Sequence, residues 1–188
     1  MRIISGEARG RTLFAPKGAE TRPTSDKIRG SLFNIIGARV PDARVLDLFG
    51  GTGALALEAL SRGAESAVIA DSSREAQRVI DRNARSVLKQ DYDLRVRVVC
   101  ADYRSAIGTL AGRMFDLVFL DPPYRMVDAY AEALSRLLAG EMLAPGCLVV
   151  VERLKRADVP LPEALCVVDT RIYGDTAVDF VEIRPMEA

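Results

Sequence analysis

From Arg44 onward the chain repeats one pattern, a short β-rich run followed by a stretch of helical periodicity. Strands that alternate with helices build a parallel sheet, because a parallel neighbour can be reached only through a long crossover and the helix supplies it. The runs are Arg44 to Leu48, Ala67 to Asp71, Arg95 to Cys100, Phe115 to Leu120 and Cys147 to Val151. Between the second and third, Ser72 with Glu75 three residues on reads as a capping box. Ala76, Val79, Ile80, Val87 and Leu88 then fall on one face, which predicts an amphipathic helix. After Val151, Leu165 to Ile172 and Ala177 to Ile183 are joined by Tyr173-Gly174-Asp175-Thr176, so an antiparallel hairpin ends the sheet. Before Arg44, Met1 to Phe14 reads as a small hairpin with glycines at 6 and 10. Thr24 or Ser25 then caps a helix bearing Ile28, Leu32, Ile35 and Ile36 on one side.

At 188 residues, 49% hydrophobic and 28% charged, the chain is the size of one globular domain with a small appendage. Apolar stretches such as Leu148 to Val151 fall far short of the ~20 residues that cross a bilayer. With no signal-like apolar segment at the amino terminus, a soluble cytoplasmic protein is expected. Cys100, Cys147 and Cys166 are odd in number and each sits in an apolar run, which predicts buried thiols rather than disulfides. Histidine is absent, and there is no Cys-x-x-Cys pair. Neither a zinc site nor a serine/histidine triad has its usual ligands, and no metal is expected. Net charge is zero but unevenly spread, at +5 over residues 1–39 and −5 over the remainder. The basic side chains Arg2, Arg9, Arg11, Arg22, Lys27 and Arg29 are therefore candidates to meet nucleic-acid phosphates. A solvated charged arm explains the same asymmetry.

The segment Val45-Leu46-Asp47-Leu48-Phe49-Gly50-Gly51-Thr52-Gly53 runs from a strand into a helix, where a doubly wound sheet holds nucleotide-like ligands. No Lys-Ser/Thr follows the glycines, so a P-loop is not indicated, and Gly51-x-Gly53-x-x-Ala56 fits a dinucleotide fingerprint only loosely. Asp47 before the glycines would repel a pyrophosphate but suits the cationic amino-acid end of S-adenosylmethionine. Asp71, at the end of the next strand, is placed to accept ribose hydroxyls, and Asp102, after the third, to meet an adenine edge.

Asp121-Pro122-Pro123-Tyr124 directly follows an apolar strand. An exocyclic amine conjugated to a purine is a poor nucleophile, and two acceptors must hold its N–H bonds so that the lone pair points at the methyl donor. The Asp121 carboxylate and the Pro122 carbonyl are candidates, Pro123 stiffens the turn, and Tyr124 offers a ring on which a base stacks. Nitrogen sheds its proton readily after methylation, so no strong base is required.

These residues resemble the RsmD-type 16S rRNA guanine-N2 methyltransferases over nearly the full chain. The likeness lies in Met1-Arg2-Ile3-Ile4-Ser5-Gly6, Gly10-Arg11, Thr21 to Arg29 with Leu32-Phe33-Asn34-Ile35, Asp47-Leu48-Phe49, Leu120 to Tyr124 and Tyr173 to Thr176. Gly50 stands where that family often has alanine, and Asp71 where glutamate is usual. The resemblance implies a Rossmann-like class I methyltransferase fold, α/β, with a mostly parallel seven-stranded sheet and an antiparallel carboxyl-terminal strand. Residues 1–39 would form a hairpin and helix extension with RNA and cofactor contacts, and residues 40–188 the transfer domain. It also implies that Arg22 and Thr24 line the cofactor and base pocket beside Asp47, Phe49, Gly50, Gly51, Gly53, Asp71 and Asp102. The expected reaction is methylation of guanine-966 N2 in small-subunit rRNA, within an assembled or assembling 30S particle, by a monomer using S-adenosylmethionine. Adenine N6 and glutamine N5 methyltransferases use related tetrapeptides and remain alternatives. A nicotinamide-dependent oxidoreductase and a catalytically silent RNA-binding module are rivals from other classes.

Overall fold

The computed structural model of the chain describes residues 1–15, 26–123 and 125–185. In chain order the elements are α1 (Asp26–Ile35), β1 (Arg44–Asp47), α2 (Ala54–Ser61), β2 (Ser66–Asp71), α3 (Arg74–Leu88), the short α4 (Tyr92–Arg95), β3 (Val96–Cys100), α5 (Tyr103–Gly108), β4 (Phe115–Leu120), α6 (Asp128–Ala139), β5 (Leu143–Leu154), β6 (Leu165–Tyr173) and β7 (Thr176–Ile183). The strands form one seven-stranded sheet in the order β3-β2-β1-β4-β5-β7-β6. The first five strands pair in parallel, and β7 pairs antiparallel with both β5 and β6. This is the α/β architecture expected for a Rossmann-like methyltransferase. Among the described residues no helix is long and apolar enough to cross a membrane.

Helices cover both faces, so the central strands are apolar on both. Val45, Ile69, Leu117, Phe119 and Val150 face the layer of α1, α2 and α3. Leu46, Leu48, Val68, Val118, Leu120 and Val149 face α5 and α6. Strand order reverses beside β1, between its pairings with β2 and β4, and a crevice at such a reversal opens at the carboxyl ends of the strands.

The amino-terminal hairpin closes through an isolated antiparallel bridge between Arg2 and Thr12 and docks on α2. Glu58 accepts from Ile4 N at 2.7 Å and Ser5 N at 3.0 Å, while Ser61 Oγ accepts from Ala8 N at 3.0 Å and donates to Ser5 O at 2.7 Å. The approach is so close that a Cβ on Gly6 would lie 1.7 Å from Ser61 O, and Gly6 holds φ +85°. Ile3 and Leu13 enter the same core as Leu32 and Phe33 of α1.

Four local expectations are corrected. The cap of α3 is Ser73, whose side chain accepts from Ala76 N at 3.3 Å, because Ser72 belongs to the turn that Asp71 organises. The inward face of α1 is Arg29, Leu32 and Phe33, continued by Ile36, and Ile35 is exposed, since the helix rotates to bring Phe33 against Phe119 at 6.0 Å between ring centroids. β5 extends well beyond Cys147 to Val151, because the Pro145-Gly146 irregularity shifts its register against β4 without ending the ladder. Only Cys147 of the three cysteines is buried, and Cys100, on the outermost parallel strand, is exposed.

Arg29 is fully buried. Its Nη2 donates to the Arg2 carbonyl and to Asp26 Oδ1, its Nε lies 3.7 Å from Glu58 Oε2, and Glu58 Oε1 also takes Arg62 Nε at 2.7 Å. Removing one partner of a buried ion pair strands the other charge. Glu58→Ala is therefore expected to destabilise the protein by about 3–5 kcal/mol in urea denaturation, whereas Glu182→Ala, whose partner Arg39 is exposed, changes stability by less than about 1 kcal/mol.

Candidate active site

The glycine turn is tied to β2 at two points. Gly50 N donates to Ala70 O at 2.8 Å, and Gly51 N donates to Asp71 Oδ2 at 2.9 Å, while Asp71 Oδ1 accepts from Ser73 N at 2.8 Å. Gly53 is the residue that begins α2. A Cβ on Gly50 would lie 2.4 Å from Ile69 Cγ2, so the backbone sits where a side chain cannot. Phe49 stacks at 5.6 Å on Tyr103, whose hydroxyl donates to Glu132 and is pushed up to about 12 by burial and that carboxylate. Asp102 caps α5, accepting from Arg104 N, Ser105 N and Ser105 Oγ; the Ser105 hydroxyl, first among these, holds its carboxyl below the usual range.

Asp47 pairs with Phe119 across the β1/β4 ladder, so Asp121, two residues further, emerges beside the turn. Asp47 is 2% exposed, and desolvation followed by the charge of Asp71 lifts its pKa to about 7 against the weaker pull of its backbone hydrogen bonds, chiefly from Phe49 N. Asp121 is half-buried and raised well above its ordinary value, first by burial and then by Glu152 and Asp47. Among the described residues its carboxylate accepts no hydrogen bond, and no donor bonds the Pro122 carbonyl. Pro122 is buried, and the Pro123 carbonyl accepts from Met126 N at 2.7 Å, which closes the turn. Tyr124, Arg22 and Thr24 lie outside the described residues. Among the described residues no lysine or arginine pairs with Asp47, Asp71 or Asp121. The carboxyl edge of the sheet thus gathers acids that no basic side chain among the described residues offsets.

A family described as conserved hypothetical protein 95 matches residues 1–182. The chain belongs to this family, the RsmD family of rRNA methyltransferases. The ribosomal RNA small subunit methyltransferase D of Escherichia coli (strain K12) is 37% identical over 152 residues, covering 81% of this chain and 74% of that one. YlbH of Bacillus subtilis (strain 168) is 36% identical over 190 residues, covering 98% and 100%. The structure of yhhF from Escherichia coli is 30% identical, with a TM-score of 0.85 over 99% of each chain.

In this RsmD-family chain the candidate RNA contacts divide. Arg2, Arg9, Arg11 and Lys27 are exposed, whereas Arg29 is sealed in the core by Glu58 and Asp26 and is corrected to a structural role. Two site residues were not foreseen. Glu152, at the end of β5, continues the series of strand-end acids and was detectable by extending that scan to the fifth strand. Asn83 is fully buried on α3; its Nδ2 donates to Phe14 O at 3.0 Å and Thr52 O at 2.9 Å, and its Oδ1 accepts from Phe14 N at 2.8 Å. No sequence spacing announces it, because all its partners are backbone atoms of distant segments.

A carboxyl whose folded pKa exceeds its unfolded value binds more protons when folded, so its contribution to stability falls as pH rises between the two values. For Asp47 that window runs from 3.8 to about 7. Asp47→Asn is expected to stabilise the protein relative to wild type at pH 7.5 by on the order of 2–4 kcal/mol, and by much less at pH 4, in urea denaturation at the two pH values. A parallel pH dependence in both proteins would refute the assignment.

Proposed function

We propose that the chain transfers a methyl group from S-adenosylmethionine to the N2 amine of guanine-966 in small-subunit rRNA, within an assembled or assembling 30S particle, as a cytoplasmic monomer. The observation that carries this reading is the carboxylate of Asp121, which accepts no hydrogen bond from the described residues, beside the equally unengaged Pro122 carbonyl and next to the strand end of Asp47. Two acceptors side by side are what an NH2 group needs to be held by both hydrogens, with Tyr124 as the stacking ring.

The acid cluster fits the cofactor. Burial is the first cause that raises Asp47 and Asp121, and repulsion from neighbouring carboxylates adds to it, from Asp71 at Asp47 and from Glu152 and Asp47 at Asp121. A ligand bearing an ammonium and a sulfonium relieves that repulsion, and one bearing a pyrophosphate worsens it. This argues against a nicotinamide cofactor. When bound, S-adenosylmethionine supplies an electrophilic methyl group on positively charged sulfur. Asp47 would hold its amino-acid end, Asp71 the ribose hydroxyls and Asp102 the adenine edge, with Phe49, Gly50, Gly51 and Gly53 forming the turn around it and Arg22 and Thr24 lining the pocket. In this division residues 1–39 contribute RNA and cofactor contacts and residues 40–188 the chemistry. Arg2, Arg9, Arg11, Arg22 and Lys27 meet phosphates, and the target guanine leaves its stack at a cost of a few kcal/mol.

The amine contributes hydrogens and its lone pair, and an ionised Asp121 accepts from it more strongly than a protonated one. Methyl transfer is therefore expected to rise with pH through the elevated pKa of Asp121. Asp121→Ala is expected to lower tritiated methyl transfer to undermethylated small subunits by about 10²-fold or more, with S-adenosylhomocysteine affinity by calorimetry changed less than about tenfold. Undiminished transfer removes the proposed role, and transfer that favours DNA adenine or a glutamine amide over rRNA reassigns the substrate.

A further inference from the structure

The arginines of this chain divide by partner. Those at 29, 39, 44, 62, 104, 136, 153 and 171 each lie against a carboxylate. Among the described residues those at 2, 9, 11, 74, 78, 82, 85, 95, 97, 113, 125, 156 and 184 pair with none. Four of the second group lie on α3 at steps of four, four and three, and Lys89 follows one further step of four beyond its end. At about 100° per residue these five positions share an arc of about 80°, and the four arginines extend along about 16 Å of helix axis. All five residues are exposed. The two acids on the flanks of the stripe, Asp81 and Glu75, form no ion pair with it among the described residues, and Asp81 accepts from the Tyr92 hydroxyl.

Neighbouring elements hold the stripe in place. The Arg82 guanidinium carbon stands 3.2 Å from the ring centre of Phe14 and that of Arg85 4.0 Å from the ring of Tyr92. Stacking on a ring steadies a guanidinium without consuming its N–H donors. Ser86 on the same helix joins Glu7, Arg9, Gly10, Arg11 and Phe14 around an open depression of about 560 Å³, so the hairpin arginines face α3 across a common space, and Arg82 reaches the hairpin through Phe14. α3 begins directly after Asp71 and its Ser73 cap, which sets Arg74 close to the carboxyl end of β2 and leads the stripe away from it.

We propose that the α3 stripe, together with Arg9 and Arg11, tracks the phosphate backbone of the RNA that flanks the target base, as a contact site separate from the pocket around Asp121. The proposal rests on the RNA-substrate reading above. Like charges gathered on one face without counter-charges repel one another, and a polyanion removes that repulsion while releasing its own condensed cations. Guanidinium donors left unpaired by the protein are the groups that grip phosphate oxygens bidentately.

The test is fluorescence anisotropy of a labelled small-subunit rRNA fragment, without cofactor, across a salt series. Arg78→Gln/Arg82→Gln/Arg85→Gln is expected to reduce the slope of log K against log[salt] by about 2–3. Arg74→Gln/Arg78→Gln, which disturbs neither stacked ring, should reduce it by about 1–2. Arg113→Gln, in the turn that follows α5 on the other face of the sheet, should leave it unchanged. In transfer assays both stripe variants should raise KM for RNA with kcat preserved. Unaltered slopes in both stripe variants, or an equal drop for Arg113→Gln, overturn the proposal. Because binding is read without cofactor, reduced slopes with no methyl transfer to RNA would defeat the functional reading alone, and normal transfer with unaltered slopes would defeat this one alone.

Discussion

Parallel pairing of β1 with β4 is the constraint on which the site depends. It sets the strand end carrying Asp47 beside the strand end carrying Asp121, with Phe119 opposite Asp47 in the ladder. A slip of one residue would turn Leu117 and Phe119 from the α1–α3 layer to the other face, so the hydrophobic pattern that fixes the register also fixes the spacing of the acids. Core packing and chemistry are therefore specified by the same alternation of side chains.

The large features of the fold were legible because they rest on periodicity. The parallel strands, the α3 helix and the closing hairpin appear as apolar runs, and in the central strands and α3 the apolar positions are the buried ones, whereas Val167, Val168 and Ile172 of the outermost strand β6 are exposed. What escaped the sequence are contacts between distant backbones and side chains. Ser61 and Glu58, on an otherwise apolar helix, serve the amino-terminal hairpin, and Asn83 serves two loops at once. Arg29 looked like a phosphate ligand because its neighbours along the chain are basic, yet the turn of α1 aims it inward at a carboxylate 29 residues away. Tyr173, in the reversal read from Tyr-Gly-Asp-Thr, has its hydroxyl 2.6 Å from Ser31 Oγ and so secures α1 to the far end of the sheet.

A net charge of zero conceals a separation of charge. Acids accumulate at the carboxyl edge of the sheet, where burial makes them expensive, and unpaired arginines accumulate on the outer face of α3 and the hairpin, where water screens them. The interior edge favours a small cation, and the exterior favours an extended anion. Asn83 stands between the two, bonding the hairpin on one side and the glycine turn on the other.

The tight fit at Gly50 carries an evolutionary consequence. A methyl group at this position would lie 2.4 Å from Cγ2 of Ile69, so the isoleucine side chain must turn aside or be trimmed to make room for it. Descendants that drift to alanine there must therefore adjust the neighbouring strand, by a shifted Ile69 rotamer or by replacement of that isoleucine with alanine. Residues 50 and 69 are thus expected to change as a couple, with the order of the two substitutions dictated by which intermediate still folds.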